Sequence, residues 1–171
     1  MIVQIDDCFA ELGGFALIDP ARLADAFPSQ KTATDLLSLF LLSDAGSLVV
    51  ETGILLPMLG ISPGYYRIVL RDQHSPTCVP EPRIQSSGWV LKTDTGELTL
   101  CGLGNLANWN PNHVAHRHFT IEPGSYDVSI LGRPLDSSEG TEEGIYELLL
   151  TRSTGEPSFS ASTSESLSLF D

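Results

Sequence analysis

Basic residues are scarce in this chain: nine Lys and Arg stand against 22 Asp and Glu, a formal charge of −13. Nucleic acid and anionic membrane are held by clustered Lys and Arg, so this balance argues against both as partners. Long apolar runs are also missing. The longest, 36–42 and 54–61, fall far short of the roughly 20 residues that cross a bilayer. Cysteine is sparse and unpatterned: Cys8, Cys78 and Cys101 form an odd set with no disulfide framework, which suits a reducing compartment. The first residues carry no basic stretch and are interrupted by Asp6, Asp7 and Glu11, so no secretory signal is expected. Together these features predict a soluble cytoplasmic protein.

Chemical motifs are scarce as well. The sequence holds no Gly-x-Ser-x-Gly elbow and no P-loop, and Gly102-Leu-Gly104 lacks the third glycine of a dinucleotide loop. Asp6 and Asp7 would point to opposite faces of a strand. Cys101 ends an alternating run with Leu98 and Leu100, which reads as a small buried residue rather than a nucleophile. No cofactor is expected.

The charge that is present is unevenly placed. Residues 1–51 hold eight acids and two bases, and residues 136–171 hold eight acids and one base; the middle, with six of each, is neutral. A negative field from the ends would suit a basic protein partner.

The clearest internal signal is a repeat. Ile61-Ser-Pro-Gly-Tyr-Tyr-Arg-Ile-Val-Leu and Ile121-Glu-Pro-Gly-Ser-Tyr-Asp-Val-Ser-Ile align without a gap, 60 residues apart. Pro-Gly favours a type II turn, and the alternation after it (Tyr66, Ile68, Leu70; Tyr126, Val128, Ile130) predicts a strand with one buried face. Thr52-Gly53 and Thr95-Gly96 precede the two copies. True duplication and convergent turn chemistry both explain the pattern. Further strands are predicted at 2–5, 15–18, 36–42, 48–51, 88–92 and 145–151, with hairpin turns at Asp44-Ala-Gly and Asp94-Thr-Gly. The run 36–42 fits a buried strand or a helix capped by Thr34 or Asp35; the strand is preferred because it can pair with 48–51. Asp19-Pro20 predicts a short helix over 21–27. Loops are expected at 73–83, with three prolines, and at 102–113. The fold class is therefore mainly β: one domain over 1–171, an antiparallel β-sandwich or partly open barrel with one or two short helices. The Ser-rich stretch 153–171 either docks at its end as a last edge strand, through Leu167, Leu169 and Phe170, or is mobile.

Three places carry candidate sites. The stretch from Asp136 to Glu143, with Asp136, Glu139, Glu142 and Glu143, reads as an acidic loop, either a solvated connection or a docking surface for a basic partner. Trp109 lies in a polar loop and is either an interface anchor or a plug for the end of the sandwich. On a strand His116 and His118 would share a face, with His113 on the other; they either offer two metal ligands, a third coming from Glu122 or Cys101, or form a polar strand edge leading into the second Pro-Gly turn.

The Pro-Gly-x-Tyr strands and the acid excess resemble small acidic β-rich bacterial proteins: immunity proteins of toxin systems and competence nuclease inhibitors. The resemblance implies a binding protein without catalysis. The leading expectation is a non-enzymatic interaction module, an inhibitor or immunity-type protein binding a basic partner. The alternative is a metal- or small-ligand-binding β domain using the 113–118 segment; an enzyme of unnamed class ranks third.

Overall fold

A computed structural model describes residues 3–28 and 34–170, so Ile2 of the expected first strand and Lys31 lie outside the described residues. In chain order the strands are β1 (Val3–Ala10), β2 (Gly14–Ile18), β3 (Leu55–Leu59), β4 (Gly64–Asp72), β5 (Ile84–Thr93), β6 (Glu97–Gly102), β7 (Arg117–Thr120), β8 (Gly124–Pro134) and β9 (Gly144–Arg152). The helices are α1 (Pro20–Ala26), α2 (Leu36–Leu42) and α3 (Ala45–Glu51), with a 3-10 turn at Leu103–Asn108. One sheet runs β1-β4-β9-β8-β5 and the other β3-β2-β6-β7. They face each other as a sandwich, as the sequence predicts, antiparallel except that β4 and β9 pair in parallel. Phe15 of the smaller sheet meets Tyr66 and Tyr146 of the larger edge-on, at ring separations of 5.9 and 6.5 Å. The alternating residues Tyr66, Ile68, Leu70 and Tyr126, Val128, Ile130 are all buried in that core.

Two predicted strands are helices. Residues 36–42 form α2 because Asp35 caps it: its carboxylate accepts from the Ser38 backbone N–H at 2.9 Å and from the Ser38 hydroxyl at 2.6 Å. The run is Leu-rich rather than β-branched, so it carries no intrinsic bias toward a strand. Residues 48–51 belong to α3, and Asp44 starts that helix instead of a hairpin. Asp94-Thr-Gly also fails to make a hairpin, because β5 and β6 lie in different sheets. Helix α1 forms as predicted. The fully buried Asp19 caps it through Ala21 and Arg22 N–H and also accepts from the Asp94 N–H at 3.1 Å.

The repeat extends to the topology. The first half runs β1 (edge of the larger sheet), β2, β3 (edge of the smaller sheet), β4. The second runs β5, β6, β7, β8 through the equivalent positions at the opposite edges. β1 pairs with β4 as β5 pairs with β8; β2 pairs with β3 as β6 pairs with β7; β2 and β6 pair antiparallel across the middle. β9 inserts between β4 and β8. Local detail repeats too. The Tyr66 hydroxyl donates to the Ser62 carbonyl at 3.0 Å, and the Tyr126 hydroxyl donates to the Glu122 carbonyl at 2.6 Å. Ile61 N–H donates to Gly13 and Ile121 N–H to Gly96, both glycines left-handed at φ 87° and 81°. The partner of Gly96 is thus Gly13, not the Gly53 suggested by the Thr-Gly pairs. The Pro-Gly glycines are nearly extended, φ 158° and 153°, unlike the roughly +80° of a type II turn. Each leads the chain from one sheet to the other.

The outer face of the larger sheet is also covered. The 73–83 loop lies on it, with Val79 packed against Val69 and Ile145. Glu147 is wholly buried there and pairs with Arg71 at 2.8 Å. The stretch after β9 docks without forming a strand: Leu167 and Leu169 are buried, while Phe170 is exposed.

Candidate functional site

The acidic loop joins β8 to β9 and is held by two arginines from the strands beneath it. Arg133 grips the Glu139 carboxylate at both oxygens, 2.6 and 3.0 Å. Its guanidinium, with the Asp136 N–H, pulls the Glu139 carboxyl down to about 2. Arg67 pairs with Glu142 at 3.0 Å and also donates to the Glu139 carbonyl at 3.1 Å; the hydrogen bond from Arg67 lowers the Glu142 carboxyl. Asp136 accepts from the Ser138 N–H and hydroxyl. Glu143 is exposed and is fixed by its backbone, its N–H donating to the Tyr65 carbonyl at 2.8 Å. The loop is therefore built rather than loose. Two of its four predicted docking acids, Glu139 and Glu142, already carry a cationic partner, while Asp136 and Glu143 face solvent.

Trp109 is 6% exposed. Its backbone N–H donates to the Thr34 carbonyl, and its ring stacks on His116 at 5.4 Å. Its ring is packed into the main core and is not exposed as a free surface anchor would be. His116 is buried with neither ring nitrogen hydrogen-bonded, and His113 lies 5.4 Å away, ring to ring. His118 is exposed beside Thr99. The structure thus separates the two proposed ligands, one inside and one outside. Among the described residues no three His, Cys, Asp or Glu side chains gather closely enough to hold a metal.

Burial lowers the His116 pKa from its ordinary 6.5 and outweighs the nearby Pro111 backbone, which acts to raise it; His113 and His118 add to the lowering. A histidine buried neutral contributes stability that is intact above about 6.5 and drains away as the pH falls below it. Wild-type stability should therefore fall between pH 7.5 and 5.5 more steeply than that of His116→Phe, which keeps the stack on Trp109. The difference in slope is bounded by about 1.4 kcal/mol per pH unit. Urea melts at several pH values measure it, and parallel slopes would contradict the assignment.

Two of the thiols, Cys8 and Cys101, are buried and poorly suited to chemistry. Desolvation pushes Cys8 up to about 12 and Cys101 higher, so both remain protonated.

The feature that the sequence reading passed over is apolar. Helices α2 and α3 lie over the outer face of the smaller sheet, and a trough of about 370 Å³ opens between them, β3 and the 3-10 turn. Leu37, Phe40, Val49, Leu55, Pro57 and Leu106 are among its lining residues. Beside it Leu41, Leu42 and Leu48 are 72, 84 and 50% exposed. Among the described residues Arg22, Arg67, Arg71, Lys92, Arg117, Arg133 and Arg152 are held in ion pairs elsewhere.

With this geometry the chain can be set beside solved folds. No family model and no curated protein matches the sequence. Two solved structures do match in fold. One, described as "Crocagin biosynthetic gene J", superposes with a TM-score of 0.52 at 16% identity, over 89% of this chain and all of that one. The other is ComJ from Bacillus subtilis, inhibitor of the DNA-degrading activity of NucA, at a TM-score of 0.50 and 8% identity, over 88% of this chain and all of that one. The fold resembles that of a nuclease inhibitor. At these identities the likeness is one of fold, and it agrees with the resemblance that the Pro-Gly-x-Tyr strands suggested. No helix among the described residues is long and apolar enough to cross a membrane.

Proposed function

We propose that this chain is a non-enzymatic, inhibitor-type interaction module that binds a basic protein partner. The observation that carries the reading is the unneutralised acid excess. The chain's own cations are largely committed to ion pairs, and a net charge of −13 remains. The architecture supports it, since ComJ, of similar fold, is an inhibitor of a nuclease's activity. The protonated Cys8 and Cys101 thiols point the same way. Within the acidic loop, Asp136 and Glu143 are the acids best placed to meet a partner. Glu139 and Glu142 would have to exchange Arg133 and Arg67 for the partner's cations, which reduces their net gain.

The test is affinity capture from the source cell on immobilised protein, with elution by a salt gradient. A basic protein retained at about 50 mM salt and released well below about 1 M is the expected result, because surface charge pairs are screened over that range. Asp136→Asn with Glu143→Gln should shift its elution to lower salt. Retention of no protein at low salt, or release only by denaturant, would overturn the reading. If the captured partner degrades DNA, stoichiometric addition of this chain should suppress that activity.

A further inference from the structure

We propose that the trough between α2, α3 and β3 is a docking site for a basic amphipathic helix of a protein partner. The proposal rests on the interaction-module reading and gives it a second, mainly apolar surface. A soluble protein rarely exposes Leu41, Leu42 and Leu48 together beside an open apolar trough unless that surface is used.

The charge around the trough selects the occupant. From Thr34 to Tyr66 the chain carries Asp35, Asp44 and Glu51 and no Lys, Arg or His. Glu51 lines the trough itself. It also closes α3, the end of a helix where the dipole disfavours an acid. The Arg22 guanidinium reaches that end, donating to the Thr52 carbonyl at 3.3 Å, but its ion pair is with Asp94 rather than with Glu51. Glu51 can therefore take a cation brought in from outside.

Other occupants fit less well. An added strand would have to pair with β3, the edge of the smaller sheet. Pro57 offers no N–H there, and the Leu59 carbonyl already accepts from Leu167 N–H at 2.8 Å. A second copy would set Glu51 against its own equivalent on chains of charge −13. An anionic bilayer is repelled for the same reason. A helix with apolar residues at i, i+3 or i+4 and i+7 and Lys or Arg on its flanks satisfies both the leucines and the acids.

The probe is a fluorescein-labelled Leu/Lys model helix of about 15 residues, long enough to hold its shape when bound. Fluorescence anisotropy should show saturable binding to the full chain with a Kd on the order of 10 µM. Leu41→Ser with Leu48→Ser changes exposed side chains, so circular dichroism should show an unchanged fold, and binding should weaken at least about tenfold. Glu51→Gln should weaken it several-fold. A Leu/Glu helix of the same pattern should not bind. Asp136→Asn with Glu143→Gln should leave the probe's affinity unchanged, which separates this site from the acidic loop.

No saturable binding overturns the proposal, as does equal binding to wild type and the double serine variant. Equal affinity for the Leu/Glu helix overturns the basic partner. If size-exclusion shows a dimer that the serine pair dissolves, the occupant is a second copy, not a foreign helix. Binding to phosphatidylglycerol vesicles that the serine pair abolishes would reassign the face to a membrane. None of these outcomes alters the salt-eluted capture that tests the module as a whole.

Discussion

Glu147→Ala should cost the protein about 3–5 kcal/mol, the range for breaking one partner of a buried ion pair. Glu147 is fully inaccessible, and each of its oxygens is engaged. Oε1 accepts from Arg71 Nη2 at 2.8 Å and from the Thr77 hydroxyl at 3.0 Å; Oε2 accepts from the Cys78 N–H at 2.6 Å. Arg71 in turn donates to the Ser75 carbonyl at 2.6 Å. Removing the carboxylate leaves a guanidinium, a hydroxyl and an amide facing an apolar surface made by Val69, Val79 and Ile145. Arg71→Ala should cost a similar amount by leaving the carboxylate alone. The double variant Arg71→Met with Glu147→Leu should recover most of the loss, since the desolvation cost of both charges disappears. Urea denaturation of the two singles and the double measures this directly. A loss below about 1 kcal/mol for Glu147→Ala would show that the 73–83 loop lifts and solvates the pair.

That pair marks where the sequence stopped being informative. The stretch 145–151 reads correctly as a strand, and 73–83 reads correctly as a loop. Their meeting depends on β4 and β9 pairing in parallel, with partners such as Tyr66 and Gly144, 78 residues apart in sequence. One local sign existed. Ile145, Glu147 and Leu149 share the face opposite Tyr146 and Leu148, and two of the three are apolar, so that face had to be covered. Helices α2 and α3 were misread for a different reason. Six apolar residues interrupted only by Ser38 carry no clear period, and an Asp35 cap is as visible as a strand partner is imaginable. The repeat succeeded because Pro-Gly and Tyr act locally: the same hydroxyl-to-carbonyl bond forms in both copies.

The candidate sites were legible as residues and misleading as environments. Acid count alone does not reveal that Arg67 and Arg133, 66 residues apart, converge under one loop. Polar neighbours of Trp109 suggested exposure, yet His116, seven residues on, stacks on it and closes it in. The apolar trough was hidden inside the misread run: once 36–42 is a helix rather than a buried strand, Leu41 and Leu42 have nowhere to go but outward.

Replacing Leu167 and Leu169 together with Ala should bring the second large loss, at least about 4 kcal/mol, from two sites where Leu→Ala costs about 2–5 kcal/mol each. Both side chains are 1% exposed. The Ser-rich composition around them suggests a mobile end, but the apolar residues decide the outcome. The Tyr146 hydroxyl, buried in the core, donates to the Leu167 carbonyl at 2.6 Å. Leu167 N–H occupies the Leu59 carbonyl at the edge of the smaller sheet. Farther back, Ser160 and Ala161 N–H donate to the Gly88 carbonyl at the irregularity in β5, at 2.9 and 3.1 Å, and Phe159 meets Trp89 edge-on at 5.9 Å. This segment therefore bridges β3 of one sheet and β5 of the other, sealing a seam that the sandwich strands leave open. With a total stability of about 5–15 kcal/mol for a domain this size, such a loss removes much of the margin. Leu42→Ala, on the exposed face of α2, should change stability by less than about 0.5 kcal/mol. Equal melting temperatures for the tail pair and Leu42→Ala would show that 153–170 does not dock in solution, and that Trp89 and Tyr146 are covered by something else.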